Sequence, residues 1–168
     1  SIVIANYNYG RFLKEAIESI LSQSCPDFEI IVVDGGSTDN SLEIIQQYAD
    51  KLDGHRFSEN DSSQILTLEG SSRKTRFLWC SEKDRGQSHA FNKGFAQAKG
   101  KFLTWLNADD VLLPDSLAAI EREIKKFPAC PWFVGSCIWF DSELRAVKCF
   151  RAHRFSAIRN HWSGHISV

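Results

Sequence analysis

The chain has 168 residues, a length typical of one domain or of part of a larger one. Hydrophobic residues make up 43% of it and charged residues 24%, which excludes disordered, collagen-like and coiled-coil proteins and predicts a globular domain. The formal net charge of -1 excludes a bulk electrostatic attraction to nucleic acid or anionic lipid.

The ends of the chain and its cysteines predict the cellular location of the protein. No apolar run approaches the roughly 20 residues that span a bilayer, and the N-terminus lacks signal-peptide features. The chain starts with a strand pattern and no Met, so we expect a piece of a longer protein in the cytoplasm or at the cytosolic face of a membrane. Its five cysteines include no CxxC pair, which favours free, mostly buried thiols. A zinc site is a weaker alternative, with the ligands Cys149, His153, His161 and His165.

The first half of the chain alternates strand and helix patterns. Residues 2–5 form a short apolar strand, and apolar residues at helical spacing predict a helix from residue 11 that ends before Pro26. The nearly continuous apolar run over 28–33 is typical of a strand buried on both faces of a parallel sheet. Asn40, with Glu43 three residues later, predicts a capping box that opens a helix ending near residue 52.

The second half continues the alternation after a polar stretch. We predict a surface insertion over 53–76 with a small hairpin near 65–68, followed by a strand over 77–80 and a helix over 87–98 closed by Gly100. A strand over 101–106 and a helix over 115–127 come next, and the inner face of that helix would comprise Leu117, Ile120, Ile124 and Phe127. The last predicted element is a β-hairpin formed by 132–140 and 146–150. This order predicts an α/β fold with a mostly parallel sheet sandwiched by helices.

Three polar clusters follow predicted strands, at 34–39, 82–87 and 107–110. Ligands bind outside the carboxyl ends of strands in such sheets. At a strand tip the Asp34 carboxylate has no packing role and is free to accept hydrogen bonds from a base or ribose. The alternative is an ordinary turn in which Asp39 or Asn40 caps the next helix, and for those two residues we favour capping.

The pair Asp109 and Asp110 predicts a cation site, because adjacent carboxylates repel each other unless a cation lies between them. Hard oxygen ligands of this kind suit Mg²⁺ or Mn²⁺ shared with substrate phosphates. The alternative is that Asp110 only caps the following turn. Arg85 offers a guanidinium suited to a phosphate or a base carbonyl, or else it belongs to a solvated charged loop.

The clusters resemble one family as a set. The segments Ser1-Ile2-Val3-Ile4-Ala5-Asn6-Tyr7-Asn8, Ile31-Val32-Val33-Asp34-Gly35-Gly36-Ser37-Thr38-Asp39, Asp84-Arg85-Gly86-Gln87 and Trp105-Leu106-Asn107-Ala108-Asp109-Asp110 are similar in order and spacing to the family-two nucleotide-sugar glycosyltransferases. The resemblance covers about residues 1–127. It implies the GT-A fold, which is Rossmann-like, together with a nucleoside diphosphate sugar donor, a divalent cation (Mg²⁺ or Mn²⁺) and transfer with inversion.

The resemblance also implies roles for individual residues. The nucleotide-sugar site would comprise Ala5, Asn6, Asp34, Asp84, Arg85, Asn107 and Ala108, with the base and ribose at Asp34 and the strand end before it. Asp109 would meet the metal and the diphosphate. Asn107 departs from the family pattern, which has an aspartate there, and a neutral ligand weakens the metal site. The catalytic base is expected beyond Val168, since Asp141 and Glu143 lie in a hairpin turn.

The interpretation is therefore one glycosyltransferase catalytic domain over 1–168, with a donor-binding portion at 1–127 and part of the acceptor side at 128–168. It would transfer a sugar, from a UDP-sugar, to a hydroxyl of a glycan, lipid-linked or other acceptor. A nucleotidyltransferase is one alternative, but the turn after the first strand lacks its glycine-rich basic loop. A receiver-like signalling domain is another, but Asn6 and Asn8 stand where it needs an acidic pair.

Overall fold

A computed structural model describes residues 1–25, 27–58, 75–141 and 145–151. The chain divides into two compact units, Ser1–Arg122 and Glu123–Val168. Their boundary lies a few residues before residue 127, the end expected for the donor-binding portion. The assignment of 1–168 to one catalytic domain stays a prediction.

The first unit contains a five-stranded sheet in which all hydrogen-bonded neighbours run parallel. Its strands are β1 (Ile2–Asn6), β2 (Glu29–Asp34), β3 (His55–Arg56), β4 (Arg76–Ser81) and β5 (Thr104–Asn107), in the spatial order β3-β4-β2-β1-β5. The helices are α1 (Gly10–Leu21), α2 (Ser41–Lys51), α3 (Gln87–Gln97) and α4 (Ser116–Lys126), of which α4 crosses the unit boundary. The predicted α/β fold is confirmed.

Alternating side chains of the central strands build a separate core on each face of the sheet. Ile30 and Val32 of β2 pack with residues of α1 and α2, whereas Ile31 and Val33 pack with residues of α3. All four side chains are completely buried, as expected for a strand covered on both faces. Burial of each contributes about 1.5–3 kcal/mol relative to exposure. The helices therefore sandwich the sheet.

Gly94 lets α3 lie close to β1. A Cβ atom at Gly94 would come within 2.3 Å of Val3 Cγ1, so a larger residue would force the helix away from the strand. Phe91 and Phe95 pack against the same core, so they lie on the inner face of this helix. This close packing positions the N-terminus of α3, which forms part of the site described below.

Two predictions about helix ends are wrong. Asn40 occupies the N-cap position of α2, but its side chain makes no capping hydrogen bond, and the Asp39 carboxylate accepts the bond from the Ser41 amide instead. Gly100 does not have the positive φ of a helix-ending glycine. A Cβ there would lie 2.5 Å from Ser1 Oγ, so the position requires a small residue rather than a left-handed backbone.

Several predicted elements differ in extent. The insertion over 53–76 begins with the short strand β3, which pairs with β4 and is too short to show a sequence pattern. Its predicted hairpin near 65–68 lies outside the described residues. The strand predicted over 101–106 begins only at Thr104.

The inner face predicted for α4 is only partly correct. Leu117 packs against the core of the first unit, but no residue of α4 is buried. Ile120 and Phe127 are 38% and 57% exposed. Helical periodicity identifies an apolar face, but it does not say whether a neighbouring element covers that face.

The second unit contains an antiparallel hairpin of β6 (Cys137–Phe140) and β7 (Ala146–Phe150). The predicted hairpin is confirmed, with a first strand shorter than the predicted 132–140. Residues 152–168, which include the histidines of the alternative zinc site, lie outside the described residues. Among the helices that the structure describes, none combines the length and the apolar character that crossing a membrane requires.

The cysteines are free, as predicted, but they are not mostly buried. Only Cys80 is buried, whereas Cys137 and Cys149 are exposed on the hairpin. The register pairs Cys137 with Phe150 and Ile138 with Cys149, so the two hairpin thiols point to opposite faces. The expectation failed because the strands that carry these two residues are themselves exposed.

Candidate functional site at the carboxyl ends of the strands

The sheet register brings the three predicted clusters to one edge. Asn6 at the end of β1 pairs with Asp34 at the end of β2, and Asp34 pairs with Ser81 at the end of β4. On the other side of β1, Ala5 pairs with Asn107 of β5. The strand ends therefore form a continuous row of polar residues at the place where α/β sheets bind ligands.

Asp34 lies at the centre of this row and is completely buried. Its Oδ1 accepts hydrogen bonds from Asn6 Nδ2 at 2.7 Å and from Ser37 Oγ. Its Oδ2 accepts from the amides of Gly36 at 3.2 Å and Ser37 at 3.0 Å, and from Ser81 Oγ at 2.7 Å. The expectation that this carboxylate has no packing role is wrong, because protein donors occupy both oxygens and the residue shapes the loop.

Asn6 presents an acceptor beside Asp34. The residue is 3% exposed, and its Nδ2 is engaged by Asp34 and Ser37. Its Oδ1 is buried and has no hydrogen-bond partner within the part of the chain that the structure describes. A buried acceptor without a donor costs about 1–3 kcal/mol, which a bound hydroxyl or N–H would recover.

The loop after β1 is joined to the loop after β2. Asn8, with a φ of 57°, donates its amide to Ser37 Oγ and accepts the Thr38 amide on its Oδ1, both at 2.8 Å. The Asp39 carboxylate accepts the Gly10 amide at 2.9 Å and the Ser41 amide at 3.0 Å, which are the first amides of α1 and α2. Desolvation works to raise the pKa of Asp39, but these hydrogen bonds hold it below its ordinary value. Asp39 therefore has a structural role, as predicted.

Asp84 lies over the loop that follows β2. A Cβ at Gly35 would come within 2.8 Å of Asp84 Oδ2 and 3.3 Å of the Tyr7 ring, so glycine allows both side chains to approach. Asp84 Oδ1 accepts the amide of Gly86, whose φ of 105° turns the chain into α3. The structure thus brings Asp84 next to the Asp34 loop, as the sequence predicted.

Arg85 extends from the same turn and contacts His89. Its amide donates to His89 Nδ1, and its guanidinium lies 3.3 Å from His89 Nε2. His89 lies in the first turn of α3 and Arg85 just before the helix, where amides and the helix dipole favour an anion.

Beneath the site, Cys80 does not supply a nucleophile. Burial raises the pKa of its thiol to about 12, although the nearby Lys93 charge works in the opposite direction. At neutral pH the thiol is therefore protonated, and the thiolate is the reactive form.

The turn after β5 contains the residues expected to meet a metal. Asn107 Nδ2 donates to Asp110 Oδ2 at 2.8 Å, and Asn107 Oδ1 accepts from Gln87 Nε2 at 2.8 Å. Partial desolvation and the Asp109 charge raise the pKa of Asp110, against the lowering effect of the Asn107 bond. Asp109 is exposed, and no hydrogen bond or ion pair engages its carboxylate within the described residues.

These side chains fit a metal that is shared with a ligand. The described residues contain no group of three or more His, Cys, Asp or Glu side chains that could hold an ion alone. Mg²⁺ and Mn²⁺ sites in phosphate-binding enzymes commonly use one or two carboxylates, with phosphates and water supplying the other ligands. Asp109, with Asp110 beside it, matches that pattern.

Other predicted residues enter the site only through their backbone. The side chains of Ala5 and Ala108 are 8% and 3% exposed and belong to the two hydrophobic cores. Ser37, Ser81 and Gln87 were not predicted as site residues. Ser37 and Gln87 lie inside the predicted clusters, so their position was a usable signal, whereas Ser81 is recognisable only from the strand register.

Of the two hairpin-turn acids considered as a catalytic base, Asp141 and Glu143, only Asp141 lies among the described residues. Asp141 accepts the Arg145 amide at 2.9 Å and the Arg145 Nε at 2.8 Å, which ties its carboxylate to the hairpin turn. Glu143 lies outside the described residues.

Solved structures share this fold. The chain aligns with residues 1–349 of Staphylococcus aureus TarS in complex with UDP-GlcNAc at a TM-score of 0.57, with 22% identity, covering 76% of this chain and 31% of that one. It aligns with the mannosyltransferase PcManGT of Pyrobaculum calidifontis, in complex with GDP-Man and Mn²⁺, at a TM-score of 0.56, with 22% identity and coverage of 80% and 33%. The fold is that of the GT-A glycosyltransferases.

Sequence relatives agree with the structural comparison. An uncharacterized glycosyltransferase of Nostoc is 38% identical over 120 residues, which is 71% of this chain and 31% of that protein. A PGL/p-HBAD biosynthesis glycosyltransferase of Mycobacterium tuberculosis is 30% identical over 161 residues, 95% of this chain and 55% of that protein. The chain thus spans about a third to a half of the length of these relatives. The model of glycosyl transferase family 2 matches residues 1–161, and the chain belongs to that family.

Proposed function

We propose that this chain binds the donor in a glycosyltransferase that moves a sugar from UDP to an acceptor hydroxyl, with metal assistance and inversion. The observation that carries the proposal is the row of linked strand ends, in which Asn6 Oδ1 is a buried acceptor without a donor in the described residues. The relatives and the TarS complex with UDP-GlcNAc support a nucleotide-sugar donor.

The nucleoside would lie against the loop that Asp34 holds in place. Since protein donors already occupy both Asp34 oxygens, we assign the contacts with base and ribose to Asn6 Oδ1 and to Asp84. Asp34 then acts on the nucleoside through the loop that its five hydrogen bonds fix. Backbone atoms of Ala5 and Ala108 border the same strand ends.

The diphosphate would lie between Arg85 and Asp109. Arg85, at the N-terminal end of α3, supplies positive charge for the phosphate oxygens. A divalent cation held by Asp109 would neutralise charge on the departing diphosphate. We assign no residue of the chain as the catalytic base, and Arg145 already engages Asp141. The acceptor would be a glycan, a lipid-linked saccharide or another hydroxyl, and the free cysteines support a reducing, cytoplasmic location.

Calorimetric titration of the purified protein with UDP, in Mn²⁺ and then in excess chelator, tests the proposal. We expect at least about tenfold tighter binding with Mn²⁺, equivalent to about 1.4 kcal/mol. Asp109→Asn should abolish this increase, because the exposed carboxylate would be the main metal ligand. Asp50→Asn makes the same chemical change on the exposed surface of α2 and should retain the increase.

Three results would count against parts of this proposal. If UDP binds with equal affinity after chelation, the metal has no role in donor binding. If GDP binds more tightly than UDP, the donor would be a GDP-sugar, as in the PcManGT complex with GDP-Man. Binding of neither nucleotide would exclude the donor site altogether.

A further inference from the structure

The side-chain amide of Asn107 is bonded on both sides. Gln87, the first residue of α3, donates from Nε2 to Asn107 Oδ1, and Asn107 Nδ2 donates to Asp110 Oδ2, each at 2.8 Å. The Asp110 amide also donates to the Asn107 carbonyl at 3.1 Å, which closes the turn around Asp109. Two parts of the site, the start of α3 and the end of β5, are thus joined by side chains.

The direction of this hydrogen-bond chain follows from its last member. An ionised carboxylate only accepts hydrogen bonds, so Asn107 must turn its NH₂ group toward Asp110. Asn107 Oδ1 then faces Gln87, and Gln87 must donate. Each amide orientation is therefore determined by the charge of Asp110.

An amide at position 107 is what this arrangement requires. An aspartate there would place a second carboxylate at hydrogen-bond distance from Asp110, with repulsion in place of the 2.8 Å bond. With its oxygen engaged by Gln87, Asn107 is suited to hold the turn rather than to serve as a metal ligand. The departure from the family's aspartate thus has a structural reason in this chain.

We propose that Gln87 is a positioning residue for the metal and diphosphate site. Through Asn107 it holds Asp110 and the turn, so that the exposed Asp109 carboxylate faces the ligand. Because only Gly86 separates Gln87 from Arg85, Gln87 also links the turn that carries Asp84 and Arg85 to the turn that carries Asp109 and Asp110. This inference rests on the proposed function, since it assigns Asp109 to a metal bound together with UDP.

The test compares two substitutions by the Mn²⁺-dependent increase in UDP affinity, measured as the ratio of affinities with Mn²⁺ and with chelator. Gln87→Leu removes the hydrogen bond and should lower this ratio about three- to tenfold. Gln87→Glu keeps the shape but cannot donate, so the Asn107 oxygen faces a carboxylate in either orientation of the amide, that of position 87 or that of Asp110. We expect Gln87→Glu to lower the ratio more than Gln87→Leu does.

If Gln87 had a purely structural or electrostatic role, the two substitutions would affect the Mn²⁺-dependent ratio in a different order. Glutamate at the first position of a helix is favourable for stability, and an added negative charge near a cation should raise or preserve the Mn²⁺ effect. Gln47→Glu, an exposed residue of α2, is the matched charge control and should leave the ratio unchanged. Thermal unfolding of every variant checks that the fold is intact.

The outcomes separate this inference from the proposed function. If the parent protein shows no Mn²⁺-dependent increase, the metal in the proposed function is wrong, and Gln87 has no site to position. If the parent shows the increase and both Gln87 variants retain it, the positioning role is wrong while the proposed function stands. A larger loss with leucine than with glutamate would overturn the assigned direction of the hydrogen-bond chain.

Discussion

Asp34 shows how a single side chain can organise the loops at the ends of several strands. Its two oxygens accept five hydrogen bonds, which come from three segments of the chain. The sequence predicts that Asp34 ends a buried strand, because four apolar residues precede it. It does not predict that Asn6 and Ser81 flank it, since that depends on which strands become neighbours in the sheet.

We predict that Asp34→Ala lowers the free energy of unfolding by about 3 kcal/mol or more, because the buried Asn6 amide and four partly buried donors lose their acceptor together. Asp34→Asn keeps the size and one acceptor oxygen, so it should cost less. Asp109→Asn is the control, since exposed side chains outside such networks change stability by about 0.5 kcal/mol or less. Urea unfolding measures all three. An Asp34→Ala protein as stable as Asp109→Asn would show that the hydrogen bonds do not hold the loop.

At the scale of elements, the helices were predictable where their packing is regular. Apolar residues at helical spacing predicted α1, because one apolar face of that helix lies on a continuous sheet. The starts of α1 and α2 were less predictable, since one carboxylate from the preceding loop serves both. Asp39 accepts the first amide of each helix, and a local pattern such as the capping box cannot reveal a bond to a helix 29 residues away in the chain.

We predict that Asp39→Ala destabilises the protein by about 1–2 kcal/mol, the usual cost of a lost cap, while Asn40→Ala changes stability by less than about 0.5 kcal/mol. The reason is that Asp39 makes both hydrogen bonds, whereas the Asn40 side chain makes no capping bond. A capping box at Asn40 would give the reverse order. Equilibrium unfolding of the two variants under identical conditions distinguishes these possibilities.

At the scale of the whole molecule, the strand and helix order predicted the layered sheet, but not the connections that close its amino-terminal edge. Glu29, at the start of β2, accepts hydrogen bonds from Ser1 Oγ, from Arg76 and from the amides of Lys99 and Gly100. It thereby joins the start of the chain, β4 and the segment after α3. These partners are far apart in sequence, so only the folded arrangement identifies Glu29 as a central residue.

The hydrogen bonds of Glu29 make part of the stability depend on pH. Burial works to raise the pKa of Glu29, but the bonds from Ser1, the Lys99 amide and Arg76 outweigh it and lower the pKa. A carboxyl whose pKa is lowered by folding contributes its full stabilisation above the unfolded value of about 4.3 and loses it as the pH falls through the folded value.

We therefore predict that Glu29→Gln is less stable than the parent by about 2 kcal/mol or more at pH 7, since charged hydrogen bonds contribute about 1.5–3 kcal/mol each. The difference should stay constant down to about pH 5 and shrink below about pH 4.3. Glu15→Gln, at an exposed position of α1, is the matched control and should show no such difference. Urea unfolding at pH 7, 5 and 3.5 measures it. A difference that stays constant to pH 3.5 would mean that glutamine loses packing rather than charge, and that Arg76 does not hold the carboxylate in its ionised form.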